Sequence, residues 1–257
     1  MSAQRNKPGA DMPLLQLLPN MLTIAGLCAG LSAIRFGVEG NYVLAVQLIL
    51  AAGVLDGLDG RIARLLGSDS KMGAELDSLA DVVNFGVAPP LVLYFWALQD
   101  TRLGWIAVLV FAICCVLRLA RFNVTSNADR EAGIGAPSAY FTGVPSPAAA
   151  LLVLLPMSVS FAFSGSALLP DILISAHMVI IGLLMISRIP TWSFKTAKVP
   201  RKKAKYFLLG GAIAGAALLT YAWVMLVVLC LAYIATIVWC LATRRPPKRS
   251  PVTEHKR

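Results

Sequence analysis

Charge is scarce in this sequence. Asp, Glu, Lys and Arg make up 14% of its 257 residues, against about 25% in an ordinary soluble domain. Hydrophobic residues reach 58% and mean hydropathy is +0.73, which excludes a typical water-soluble fold. Histidine is nearly missing. His177 stands alone in an apolar run and His255 lies in the tail, so neither is assigned a role and no Ser-His-Asp arrangement can be assembled. The five cysteines, Cys28, Cys114, Cys115, Cys230 and Cys240, all fall in apolar stretches without a CxxC pair. That spacing excludes a thiolate metal centre and points to buried free thiols. No Walker loop or haem motif is present, and residues 1–12 lack the pattern of a cleaved signal peptide, so the first apolar run is expected to stay as a span. The net charge of +10 invites a nucleic-acid reading. However, the positive residues sit in short loops and a tail between apolar runs, so no nucleic-acid partner is expected.

What the chain does contain is long hydrophobic runs. A membrane-crossing helix needs about 20 mainly apolar residues. Eight runs qualify: 14–35, 42–62, 73–98, 103–121, 144–164, 168–187, 206–223 and 225–243. The last two are separated by little more than a turn, so a count of seven is an alternative. The fold class expected is therefore all-α, a polytopic membrane helix bundle over residues 14–243. Residues 1–13 form a cytoplasmic N-terminal segment and 244–257 a disordered basic tail. Gly86, Pro89 and Pro90 should kink the third span. Alternating the spans from a cytoplasmic N-terminus leaves only Arg35 and Arg102, of 23 Lys and Arg, on the far side. This asymmetry places both termini in the cytoplasm. Residues 188–205, basic with Trp192 and Phe194 interleaved, read as a segment lying on anionic membrane phospholipids. Residues 124–142 read as a polar cytoplasmic loop.

Against this background, four acids stand out. Asp56 and Asp59 end the second run, and Asp77 and Asp81 begin the third. An ionised side chain near the bilayer centre costs at least ~2.5–3.5 kcal/mol, so four of them imply compensation. Spacings of i,i+3 and i,i+4 put each pair on one helical face. The short 62–72 connection makes the two helices antiparallel neighbours whose acidic faces can meet. Converging carboxylates attract divalent cations, which can organise phosphoryl-transfer chemistry. Ion pairing with Arg61, Arg64 and Lys71 is the structural alternative, and it does not explain four acids gathered on two faces. Small residues at Gly60, Ala63 and Gly73 permit close approach of a helix or ligand.

Written as a pattern the segment is D-x2-D-G-x2-A-R-x8-G-x3-D-x3-D, running from Asp56 to Asp81. At every fixed position it resembles the signature of the CDP-alcohol phosphotransferase family of integral membrane enzymes. The resemblance implies transfer of a phosphatidyl or similar group from CMP to an alcohol, with two divalent cations, Mg²⁺ or Mn²⁺, with Ca²⁺ as an alternative. It implies that Asp56 and Asp77 bridge both ions and Asp59 completes the first. Asp81 would bind the second and act as the base on the acceptor hydroxyl. It further assigns Gly60, Gly73, Arg64 and Ser70 to the cytidine diphosphate donor. Pro19, Asn20, Met21 and Leu22 resemble the family's other donor-binding segment. A homodimer is also implied.

Three further fragments, Asn84–Pro89, Arg118–Asn123 and Gly143–Pro147, resemble the phosphatidylserine synthase branch of that family. The expectation is transfer from CDP-diacylglycerol to L-serine, giving phosphatidylserine and CMP, in a bacterial inner membrane with the site facing the cytoplasm. Arg118 and Arg121 are candidates to hold the serine carboxylate, because a guanidinium pairs bidentately with it. Alternatives are the same chemistry on glycerol 3-phosphate, inositol phosphate or choline, and a cation transporter that uses the four acids as a transport site.

Overall fold

The computed structural model describes residues 17–68, 70–131, 140–163, 169–187, 190–192 and 220–242. Two helices, α1 (Leu18–Val38) and α2 (Tyr42–Leu66), lie along each other. Close approach is possible because the buried face of α1 is built from Thr23, Gly26, Gly30, Ala33 and Gly37, the small residues that membrane helix pairs favour. Helix α2 starts at Asn41, whose side chain accepts from the Leu44 N–H at 3.3 Å. It stops at Gly67, which takes φ 59°. Bonds from Ser68 N to the Ala63 carbonyl (3.0 Å) and from Gly67 N to that of Arg64 (3.4 Å) close the helix end, a Schellman turn that glycine suits. Ser70 then caps α3 (Lys71–Asp81), accepting from the Gly73 N–H at 2.9 Å. A stop, a turn and a start thus fall within a few residues and bring the acid-bearing ends of α2 and α3 to one end of the bundle.

Helix α3 continues through a π-helical segment, Val82–Val87, into α4 (Ala88–Ala97), and Met72–Ala97 forms one run of membrane length. Where a kink is expected at Gly86, Pro89 and Pro90, the structure has this π turn within one continuous run. The Ala88 N–H reaches back five residues to the Val83 carbonyl, and the prolines stand in the first turn of α4, where a missing donor is tolerated. Next comes α5 (Arg102–Glu131). It runs past the expected end at 121, so the first part of the presumed polar loop is helical. Strand β1 (Tyr140–Thr142), α6 (Ser146–Val153), α7 (Leu155–Phe163), α8 (Asp171–Ile186), β2 (Pro190–Trp192) and α9 (Ala222–Ala242) follow. The two three-residue strands pair antiparallel, Phe141 opposite Thr191, and are the only strands among the described residues. They also hold Pro190–Trp192, within the basic segment 188–205, against the residues before α6; the rest of that segment lies outside those described.

Among the described residues, five helical runs are long and apolar enough to cross a membrane, and α6 with α7, bent by 43°, would make a sixth. Helix α8 is apolar but has 16 residues, short of the usual ~20. Eight full spans are therefore not seen. The expected seventh, 206–223, falls almost wholly outside the described residues, as do the segments 1–13 and 244–257.

The core centres on the π turn and α4. Phe85, Val92 and Leu93 are buried there, Val92 and Leu93 in one cluster with Phe111 of α5, Met157 of α7 and Met178 of α8. Outward-facing Met21, Val54, Ile113 and Trp239 are exposed, which suits a surface solvated by lipid. Every backbone polar group inside such a segment is satisfied by its own helix. The protein is a multi-pass membrane protein. Cys114, Cys115 and Cys230 are buried free thiols as expected, but Cys28 is exposed on α1; an apolar stretch in a membrane helix has a lipid face as well as a buried one.

At one end of the bundle the Tyr42 hydroxyl donates to the Phe95 carbonyl at 2.9 Å. This joins the start of α2 to the end of α4, near Arg35 and Arg102. The acids lie at the opposite end.

Candidate active site

Asp56 and Asp59 leave the last turns of α2, and Asp77 and Asp81 the last turns of α3. The short link predicts α2 packed against α3, yet these two helices make little direct contact. Each leans instead on α1. Between their ends, one carboxylate oxygen each from Asp56, Asp59 and Asp77 lies within 4.8 Å of the others. The Asp81 carboxyl neighbours those of Asp56 and Asp77, and its Oδ1 is buried without a hydrogen-bond partner. Three convergent carboxylates and an orphaned oxygen form a hard-oxygen donor set that fits Mg²⁺, Mn²⁺ or Ca²⁺. Among the described residues the salt bridge is Arg35 with Glu39, at the far end. Arg61 and Arg64 are exposed and pair with none of the four acids. For Arg61 and Arg64 the ion-pair alternative finds no support among the described residues, and the Lys71 side chain lies outside them.

Asp59 is the buried member of the set, 4% exposed. Its Oδ2 accepts a hydrogen bond from Thr23 Oγ1 of α1 at 2.6 Å. Asn20, one turn earlier, brings its side chain against Gly73, where a Cβ would stand 3.0 Å from both Asn20 Oδ1 and Ser70 Oγ. Pro19 is buried beneath them, Leu22 is half-buried and Met21 is 62% exposed. On α2, Gly57 and Gly60 face open space, since a Cβ at either would meet nothing within 4 Å. Arg64 curls back over this stretch, its Nε donating to the Gly60 carbonyl at 2.8 Å. Of the residues expected to serve a nucleotide donor, Asn20, Ser70 and Gly73 thus lie together, and Arg64 lies on Gly60, which adjoins Asp59 in sequence.

The two candidate acceptor arginines part company. Arg118 of α5 turns inward. Its Nη1 donates to Ser146 Oγ at 2.7 Å, its Nε is buried without a partner, and it lies within electrostatic reach of Asp81. Arg121 is exposed and donates to the Ile186 carbonyl at 3.0 Å, where a cation complements the carbonyl end of α8. Ser146 is fully buried at the start of α6. Asn123 Nδ2 donates to Ser78 Oγ at 3.0 Å and ties α5 to the acid-bearing face of α3. Sequence reasoning assigned no part to Thr23, Ser78, Asn123 or Ser146. Thr23 gave a signal in its position one turn after Asn20 on the same helix, and Ser146 sits inside a fragment already singled out, but their partners depend on packing. His177, as anticipated, is a satisfied interior residue, with Nε2 2.8 Å from the Leu152 carbonyl.

Comparison with known proteins agrees with this geometry. The sequence profile of the family described as CDP-alcohol phosphatidyltransferase matches residues 16–243. A Mycobacterium leprae protein, CDP-diacylglycerol–serine O-phosphatidyltransferase, is 40% identical over 231 residues, 90% of this chain and 76% of its own. Helicobacter pylori has a protein of the same name that is 38% identical over 190 residues, covering 73% of this chain and 77% of that one. A Bacillus subtilis protein, again so named, is 34% identical over 182 residues, 70% and 93% of the two chains. A profile match over nearly the whole length, relatives at this identity and four aspartates folded into one cluster lead to one conclusion: the chain belongs to the CDP-alcohol phosphatidyltransferase family.

Proposed function

We propose that this protein transfers the phosphatidyl group of CDP-diacylglycerol to L-serine, releasing CMP. The names of its relatives support the reaction. The observation that carries the acceptor is Arg118, a half-buried arginine within electrostatic reach of Asp81 whose Nε is buried without a hydrogen-bond partner. In this reading the carboxylates of Asp56, Asp59, Asp77 and Asp81 hold two divalent cations, Mg²⁺ or Mn²⁺. When bound, those ions neutralise the diphosphate and the charge developing on attacking and leaving oxygens. Asn20, Gly60, Arg64, Ser70 and Gly73 receive the cytidine diphosphate, with the open face at Gly57 and Gly60 leaving room for it. Arg118 orients serine through its carboxylate, and Ser146 fixes the guanidinium plane. Asp81 takes the proton as the serine oxygen bonds to the phosphorus attached to diacylglycerol. The bond from that phosphorus to the CMP oxygen breaks as it does so, and CMP departs. Arg121, engaged at the end of α8, is left out of the acceptor pocket.

The site faces the cytoplasm of a bacterial inner membrane, and the protein works as a homodimer. Charge asymmetry supports the orientation and family likeness the assembly. The deciding experiment supplies purified protein with CDP-diacylglycerol, a divalent cation and labelled serine, glycerol 3-phosphate, inositol phosphate or choline. Metal-dependent CMP release with label entering lipid from serine is expected. Preferential use of glycerol 3-phosphate would reject the serine assignment, and cation flux without turnover would favour a transporter.

A further inference from the structure

We infer that Thr23 is a positioning residue for the metal centre. Its hydroxyl selects which oxygen of Asp59 is offered to a cation. The inference rests on the reading of the acid cluster as a metal site. Thr23 Oγ1 has two acceptors in reach, the Pro19 carbonyl at 3.1 Å and Asp59 Oδ2 at 2.6 Å. One proton serves one of them well. The shorter contact to a carboxylate is the stronger kind of bond, so the proton goes to Asp59. Both side chains are buried, Thr23 6% and Asp59 4% exposed, so water does not readily replace the bond if it is lost. With Oδ2 engaged from α1, Oδ1 would be the oxygen offered to a cation at the cluster with Asp56 and Asp77. Such a partner behind a ligand fixes its orientation, and losing one typically lowers metal affinity about 10–100-fold. The bond also crosses helices. Thr23 holds α1 against α2, while Asn20, one turn earlier on α1, meets α3 at Gly73. Helix α1 therefore gauges the gap across which the acids face each other.

Thr23→Val keeps the branched shape and removes the donor, Thr23→Ser restores the hydroxyl, and Asp59→Asn serves as a control. Full-length protein in detergent would be titrated with Mn²⁺ alone, free ion being read by electron paramagnetic resonance, with the thermal midpoint in chelator as a check on folding. Thr23→Val should bind Mn²⁺ at least about tenfold more weakly, with its chelated midpoint little changed, and Thr23→Ser should bind near the wild-type level. Should Thr23→Val fail to yield folded protein, Thr23→Ala measured against Thr23→Ser makes the same comparison. Wild-type Mn²⁺ affinity in a folded hydroxyl-less variant, alongside loss in Asp59→Asn, would overturn the role of Thr23 and leave the metal site standing. Wild-type affinity in Asp59→Asn and Asp56→Asn as well would overturn the metal reading, and this inference with it.

Discussion

At the scale of single residues, the site separates binding from chemistry in ways that kinetics can resolve. Asp56→Asn or Asp77→Asn should abolish measurable turnover in a protein that still inserts and folds, because each contributes an oxygen to the cluster. Chelation should reproduce that loss reversibly, and full activity in excess chelator would rule the two-ion assignment out. Asp81→Asn should slow the chemical step by about 10²–10⁴-fold, the usual worth of a general base, while CDP-diacylglycerol still binds; equilibrium binding alongside single-turnover rates would check it. Arg118→Ala should raise the serine requirement about ten- to hundredfold, given ~1.5–3 kcal/mol for a hydrogen bond to a charged group, with donor affinity nearly constant. Arg121→Ala should leave the serine requirement close to wild type, since its guanidinium serves the Ile186 carbonyl. Equal effects from the two arginines would show that the inward and outward orientations do not matter to the acceptor.

Glycines make the sharpest distinction between whole elements. On α2, Gly60 faces open space. Gly60→Leu should therefore preserve the thermal midpoint yet raise the KM for CDP-diacylglycerol, as expected where a side chain takes up room kept for a ligand. On α8, Gly182 presents the opposite case. A Cβ there would stand 3.2 Å from the backbone Cα of Phe111, on the seam where α5 and α8 pack. Gly182→Leu should lower the thermal midpoint clearly and lower activity only through loss of folded protein. If Gly182→Leu were stable and Gly60→Leu unstable, the packing described for these two helices would be wrong. The π turn belongs to the same scale. It follows Asp81 directly and accommodates Pro89 and Pro90 without ending the span, so Asp81, the base of the proposed reaction, sits at a junction between two helical pitches, a frequent location for functional groups.

For the molecule as a whole, orientation is the testable property. In a cysteine-free background, a cysteine at Asp100 should react with an impermeant external reagent and one at Ser250 should not. External labelling at Ser250 would invert the topology and move the acids to the other face. The architecture and the acid cluster were both legible in the sequence, for a physical reason. Apolar runs of membrane length admit few structures other than helices, and charges inside them demand compensation strong enough to show as a pattern. The short link likewise determined that Asp56, Asp59, Asp77 and Asp81 share one end of the bundle. Tertiary structure decided what no spacing encodes. Helices α2 and α3 pack on α1 rather than directly on one another. The hydroxyl of Thr23 reaches Asp59 across 36 positions of sequence. Of two arginines three residues apart, one points into the site and the other away, because their directions depend on Ser146 and Ile186, which arrive from distant helices. Periodicity assigns residues to faces of a helix, and only packing assigns those faces to one another.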